Sequence, residues 1–439
     1  MNEQSSGQKL YERAKARIPG GTQLLSKRPE MFLPGQWPSY YSKARGAEVW
    51  DLDGRRYLDM TYAGIGSCVL GFADPDVNQA VHAVIESGSM STLNCPEEVE
   101  LAELLCELHP WAEMARFARC GGEAMAIAVR IARARTRRDK IAFCGYHGWH
   151  DWYLSANLSN EHALDGQLLP GLEPAGVPRA LAGTALPFRY NQIEDLRALI
   201  HSNKNELAAI VMEPVRSLEP QASFLQEVRE IATRTGAVLV FDEITSGWRL
   251  NAGGLHLLYG VTPDIAVFAK AMANGYPMAA VIGPAGILTA AQDTFISSTY
   301  WTERIGPAAS IATIQKYLRC DVSKHLIHIG ELVQNGWRSA ACKNGLSVNV
   351  SGIPPLAHFS FDHPEAQTMR TIFTRLMLER GFLASGAFYA MYAHNDAHVE
   401  QYLSAVGEAF AVIAESARRS DLGRLLTGPV AHSGFHRLA

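Results

Sequence analysis

Between about Pro96 and Leu318, helical stretches alternate with short apolar strands. This alternation restricts the fold more than any other feature of the chain. Apart from Lys140 at the entrance of the first, the segments Lys140-Ile-Ala-Phe-Cys144, Ala208-Ala-Ile-Val-Met212, Ala237-Val-Leu-Val-Phe241 and Ile265-Ala-Val-Phe268 contain no polar residue. A strand without a polar face has to be covered on both sides, as happens in a parallel sheet clad with helices. Glu97 to Leu108 and Glu123 to Ala134 carry apolar residues at helical spacing and supply such helices. The expected fold class is therefore α/β, with a mainly parallel central sheet.

The flanks read differently. Gly7 to Ile18 predicts a short amphipathic helix stopped by Pro19-Gly20-Gly21. Glu48 to Asp59 alternates around Asp53-Gly54 and predicts a hairpin. After Leu318 the pattern becomes helix, strand (Ala357 to Phe361), helix, hairpin and helix, which predicts a separate α+β domain. Gln167 to Pro187 lacks periodicity and predicts a long loop of the kind used as a lid or binding loop.

Composition narrows the classes of function. The formal net charge of -4 gives no reason to expect nucleic acid or an anionic membrane as partner. No apolar run is long enough to span a bilayer, and the first ten residues lack a signal-peptide core. The seven cysteines are an odd number, scattered, and form no CxxC pair, so a disulfide framework or zinc finger is not expected and a cytoplasmic location is.

The polar residues that matter fall just past the apolar strands. Asp242 and Glu243 follow one strand, Glu213 another, and Tyr146-His-Gly-Trp-His-Asp151 a third. Lys270 follows Ile265–Phe268 in a window, Val261 to Met278, whose only other charge is Asp264. A lysine in apolar surroundings has a lowered pKa and becomes a usable nucleophile or base. In an α/β sheet ligands bind beyond the carboxyl ends of the strands, so these side chains are expected along one edge. Cys120-Gly121-Gly122-Glu123 opens a helix, and two glycines there suit a phosphate at the helix N-terminus. A lysine amine, an acid 28 residues before it and a phosphate cup are what pyridoxal 5'-phosphate requires. A different reading takes His147, His150 and Asp151 as ligands of a metal-dependent hydrolase. It leaves Lys270 and the paired glycines without a task.

Across nearly its whole length the chain resembles the class III aminotransferases, close to their glutamate-1-semialdehyde aminomutase branch. The resemblance is carried by Ile18-Pro-Gly-Gly21, Ala44 to Gly54, Cys120-Gly-Gly-Glu-Ala124, Gly145-Tyr-His-Gly148, Glu213-Pro214, Phe241-Asp-Glu-Ile244 with Gly247 and Arg249, Lys270, and Thr302 to Pro307. It implies the fold type I architecture of enzymes using pyridoxal 5'-phosphate. The large cofactor domain would span residues 62–318, and the smaller α+β domain would be built from both termini, 1–61 and 319–439. It further implies a homodimer with shared active sites, acting on a small-molecule amino donor and a carbonyl acceptor. Lys270 would bind the cofactor as a Schiff base and Asp242 would pair with its ring nitrogen. Tyr146 and Ile244 would cover its two faces, Gly121 and Gly122 would bind its phosphate, and Thr302 would complete the phosphate site of the neighbouring subunit. Glu213 and His147 would support the pocket. The chain departs from the aminomutase pattern at Leu24, Lys27, Gly122 and Tyr389, although Ser26 and Arg28 adjoin the first two. Trp149, Trp152, Tyr300 and Trp301 make the site richer in aromatics, as in members associated with glycan or amino-sugar pathways. A sugar-like carbonyl substrate is expected, with a 1,2-aminomutase as the alternative.

Overall fold

The computed structural model describes residues 4–167, 170–215, 218–221 and 223–434. The chain forms two compact units: one takes the chain up to Asp74 and again from Lys324 onward, the other Pro75–Ser323. The divisions thus fall at 74/75 and 323/324, against the 61/62 and 318/319 read from sequence. Backbone hydrogen bonds explain the first shift. Residues that follow the hairpin are tied back into the smaller unit, through Gly46 with Phe72, Tyr389 N–H to Thr61 O at 2.7 Å, and Tyr392 N–H to Val69 O at 2.8 Å.

The larger unit is built on a seven-stranded sheet. Its spatial order is Met114–Ala118, Ala279–Gly283, Ile265–Phe268, Val238–Asp242, Leu207–Met212, Lys140–Cys144 and Ala185–Pro187. Only Ala279–Gly283 runs against its neighbours. Both faces are covered, which is why the central strands lack polar residues. Val238 and Val240 pack with Ile127 and Ile131 of helix Gly121–Thr136. Leu239 and Phe241 pack on the other face with Phe224, Val228 and Ile231 of helix Phe224–Thr235. Each such side chain contributes about 1.5–3 kcal/mol by leaving water, so a charge at Val240 would break the sheet's core.

The expected loop Gln167 to Pro187 is partly structured. Its last residues, Ala185–Pro187, form an edge strand parallel to Lys140–Cys144, a place where proline is tolerated. Leu168 and Leu169 lie outside the described residues.

In the smaller unit, helix Ser6–Lys15 starts at a capping box between Ser5 and Gln8. The hairpin of Glu48–Asp51 and Arg56–Met60 forms as expected. The hairpin expected near the C-terminus does not form. Phe382–Ala384 pairs in parallel with Arg56–Met60, whereas Ala387–Tyr389 pairs with Leu356–Phe361 in a second sheet. The two-residue link crosses close to another strand, since a Cβ on Gly386 would lie 2.7 Å from Phe359 O. Alternating apolar residues around a short link look the same whether the strands pair together or part.

Candidate active site

Four adjacent parallel strands deliver the site. Cys144 lies opposite Met212, Met212 opposite Phe241, and Asp242 opposite Val267. The segments leaving these strands therefore emerge along one edge, where open α/β sheets bind ligands.

Asp242 ends its strand only 2% exposed. One carboxylate oxygen accepts the Ile244 N–H at 3.0 Å, and the other lies 2.8 Å from His147 Nδ1. His147 is 1% exposed, and its Nε2 lies 3.2 Å from Cys144 O. The imidazole is thus fixed at both nitrogens and fixes the carboxylate in turn. Asp242 has no room to rotate away, which suits a group that must hold a proton on a ligand atom.

Lys270 opens the short turn Lys270–Ala273, directly after the strand Ile265–Phe268 and Ala269. Its φ is +47°, a left-handed conformation that costs an ordinary side chain roughly 1–2 kcal/mol. Such strain collects at functional sites. Ala269 and Ala271–Ala273 are buried, while the lysine itself is half-buried. Its ammonium donates to Thr245 Oγ1 at 2.7 Å. Thr245 is buried and was not singled out from sequence; its place three residues after Asp242 is the available signal.

Glu213 lies behind the loop that carries Tyr146. Its carboxylate accepts the Tyr146 N–H at 3.3 Å and sits so close to Gly145 that a Cβ there would lie 2.8 Å from Oε2. Gly145 also has φ +117°. Tyr146 is 36% exposed, and its ring meets Tyr153 edge-on at 6.0 Å. Glu213 therefore positions Tyr146.

The paired glycines begin helix Gly121–Thr136. Glu123 closes its first turn by accepting the N–H groups of Cys120 at 3.0 Å and Arg119 at 3.2 Å. A Cβ on Gly121 would lie 2.8 Å from Ile244 Cδ1, so the glycine helix and the Asp242 turn are packed against each other. Cys120 is exposed in the single chain, and partial desolvation raises its thiol pKa, which disfavours the thiolate.

Thr302 stands apart from this cluster in the single chain. It is exposed, and its hydroxyl donates to Thr299 O at 3.1 Å. Its loop is nevertheless fastened to the glycine helix. Arg119, two residues before Gly121, donates to Trp301 O at 3.0 Å and Glu303 O at 2.8 Å, and pairs with the Glu303 carboxylate at 2.9 Å.

Glu243 faces the opposite way from Asp242 and is fully buried. Burial opposes its charge, yet hydrogen bonds and charge from His256, with a hydrogen bond from Ser246, overcome it and lower its pKa. It anchors the turn from inside.

Among the described residues no three of His, Cys, Asp and Glu are placed to hold a metal ion. His147 is engaged with Asp242, and Asp151 is exposed. A strained lysine, a buried acid clamped by histidine, and a helix N-terminus without side chains instead form a donor set that fits pyridoxal 5'-phosphate.

These features define a fold type I enzyme dependent on pyridoxal 5'-phosphate. The chain matches the family Aminotransferase class-III over residues 34–409 and belongs to it. It is 32% identical over 417 residues to a 3-aminobutyryl-CoA aminotransferase of Cloacimonas acidaminovorans, covering 92% of this chain and 96% of that one. It is also 32% identical over 433 residues to a glutamate-1-semialdehyde 2,1-aminomutase of Roseiflexus castenholzii, covering 93% and 98%. In fold it resembles the internal-aldimine form of the FumI protein of Sphingopyxis sp. MTA144, with a TM-score of 0.86 and 24% identity over 96% of this chain and all of that one.

Proposed function

We propose that this aminotransferase moves an amino group between two separate molecules, an amino donor and a carbonyl acceptor, using Lys270 as nucleophile and proton carrier. The observation that carries this reading is the pairing of two sites on neighbouring strand ends. Lys270 Nζ is held by Thr245, and the buried Asp242 is held by His147.

Pyridoxal 5'-phosphate, when bound, supplies the electron sink for the transferred amine. Lys270 Nζ would hold it and, as a free amine, would take the proton from the substrate's amine-bearing carbon. Thr245 Oγ1 keeps the free amine in reach. Asp242 would hold a proton at the ring nitrogen by its charge, and His147 keeps that carboxylate aimed. Gly121 and Gly122 offer first-turn N–H groups to the phosphate, since these lack partners within a helix. Tyr146 and Ile244 would cover the ring, and Glu213 keeps Tyr146 in place.

The same reading makes the enzyme a homodimer, with Thr302 completing the phosphate site of the other subunit. The exposure of Thr302 on a loop braced by Arg119 supports it, as do the exposed apolar side chains of Leu93, Phe295 and Tyr300. Free cysteines support a cytoplasmic location. For the acceptor we favour a sugar-like carbonyl compound. Trp149 and Tyr300, each 70% exposed, offer faces on which a sugar ring can stack.

The competing reading, intramolecular transfer as in the aminomutase, is supported by the relative of that name. Leu24, Lys27 and Tyr389 speak against it, because leucine cannot hydrogen-bond a carboxylate and lysine lacks the planar fork of arginine. Adding amino donors singly to the holoenzyme should convert the cofactor's absorbance to that of its amine form, and a sugar-like carbonyl should restore it. Efficient turnover of glutamate-1-semialdehyde with no added acceptor would instead establish the mutase.

A further inference from the structure

The carbonyls of both residues that flank Thr302 are held by one side chain. Arg119 Nη2 donates to Trp301 O at 3.0 Å and to Glu303 O at 2.8 Å. Its Nε pairs with the Glu303 carboxylate at 2.9 Å. That carboxylate also accepts the N–H groups of Ile305 at 2.7 Å and Gly306 at 2.9 Å, where helix Ile305–Arg319 begins. Bonds on both sides leave the Thr302 backbone little freedom to turn.

The Arg119 and Glu303 side chains are only 10% and 18% exposed. A charge pair so far from water seldom stabilises more than apolar packing would. Apolar packing could join loop and helix equally well; what the planar guanidinium fork adds is a fixed direction of the chain at Thr302. Side chain and backbone of Arg119 have separate tasks. The backbone N–H is taken by Glu123, which closes the glycine turn together with the Cys120 N–H. Gly121 is seated against Ile244. The glycine turn is thus held without the guanidinium. Arg304 fastens the loop beyond Thr302, with its N–H on Ser89 O at 2.9 Å and its guanidinium on both Glu97 oxygens at 2.6 and 3.1 Å.

We propose that Arg119 is a positioning residue that acts across the subunit boundary, aiming the Thr302 of its own chain at the cofactor phosphate held by the other. This rests on the reading above that Thr302 serves the neighbouring site. The backbone of Arg119 then belongs to one cofactor site and its side chain serves the second.

The test places the same two substitutions in hybrid dimers of full-length chains in two arrangements. In the first, one chain carries Lys270→Ala and Arg119→Leu and its partner is unmodified. In the second, one chain carries Lys270→Ala and the other Arg119→Leu. Each hybrid, isolated through a different affinity tag on each chain, keeps a single Lys270, so the absorbance of lysine-bound cofactor reports one site. That site borrows Thr302 from the chain lacking Arg119 in the first arrangement, and from a chain retaining it in the second. Pyridoxal 5'-phosphate should bind ~10–100-fold more weakly in the first, the range of one hydrogen bond to a charged group. Pyridoxal, which has no phosphate, should bind equally in both. General damage to folding cancels, because both hybrids contain the same substitutions. If Arg119→Leu chains give no folded dimer, Arg119→Lys, which keeps the charge but not the fork, should give the same ordering with a smaller difference. Equal affinities for pyridoxal 5'-phosphate, weaker binding in the second arrangement, or an equal difference with pyridoxal would overturn the proposal. Thr302→Ala in place of Arg119→Leu tests the underlying reading. If it weakens binding in the second arrangement or in neither, the shared site has failed; if it weakens the first while Arg119→Leu does not, only the part given to Arg119 has failed.

Discussion

Gly121→Ala probes whether the phosphate turn and the ring-covering residue form one packed unit. The new methyl would lie 2.8 Å from Ile244 Cδ1, 3.1 Å from Cγ2 and 3.3 Å from Cγ1. The first distance is impossible for carbon atoms in contact, so either Ile244 or the helix start has to move. Ile244 is packed against the core and its N–H is bonded to Asp242, so its backbone is held and the strain falls on its side-chain torsions and on the helix start. Overpacking of this kind costs about 1–3 kcal/mol, and the same displacement should weaken cofactor binding about 5–100-fold. Ile244→Val removes Cδ1, the atom in conflict, and alone costs about 0.5–1.5 kcal/mol. The double variant should then be more stable than the sum of the single effects by about 1 kcal/mol, since residues in contact are coupled. Thermal or urea unfolding of the four proteins gives the stability cycle, and cofactor titration gives the binding cycle. Strict additivity in both would refute the packing argument.

Other outcomes follow from the same geometry. Asp242→Asn should fold and bind cofactor but lose at least ~100-fold in kcat, because an amide cannot hold the ring-nitrogen proton by charge; near-normal turnover would remove Asp242 from its assigned role. Burial pushes the Asp59 pKa up to about 6, despite backbone donors at Thr61 and Ala63 and the nearby Lys27. Its contribution to stability is therefore present below the ordinary carboxylate pKa and lost as pH rises through about 6. Asp59→Asn should accordingly stabilise the protein by about 1–3 kcal/mol at neutral pH, with the gain vanishing in acid, as denaturation at several pH values will report. Mixing inactive Lys270→Ala chains with Thr302→Asp chains, whose added charge repels phosphate, should restore activity in hybrid dimers; confirmed subunit exchange without recovery would show that the sites are not shared.

Much of the fold was readable because the central strands are buried on both faces. A run such as Val238–Asp242 has one polar residue, at the end that leaves the sheet. What could not be read depends on partners distant in sequence. The parting of Phe382–Ala384 and Ala387–Tyr389 into two sheets is set by strands more than 20 residues away. In the site, residue types at strand ends pointed to Asp242, Glu213, Tyr146 and Lys270. The clamp of His147 on Asp242, the Thr245 hydroxyl on Lys270 and the Arg119 guanidinium on the carbonyls beside Thr302 emerge only from side-chain geometry. No periodicity encodes which of two nearby histidines, His147 or His150, turns to a carboxylate.

The central claim is that Lys270 is the amine that holds the cofactor. Borohydride reduction of the holoenzyme, followed by proteolysis and peptide mass mapping, tests it directly. The pyridoxyl group should appear on the peptide containing Lys270, and Lys270→Ala should carry none. A pyridoxyl group on any other lysine, with Lys270 unmodified, would contradict the account.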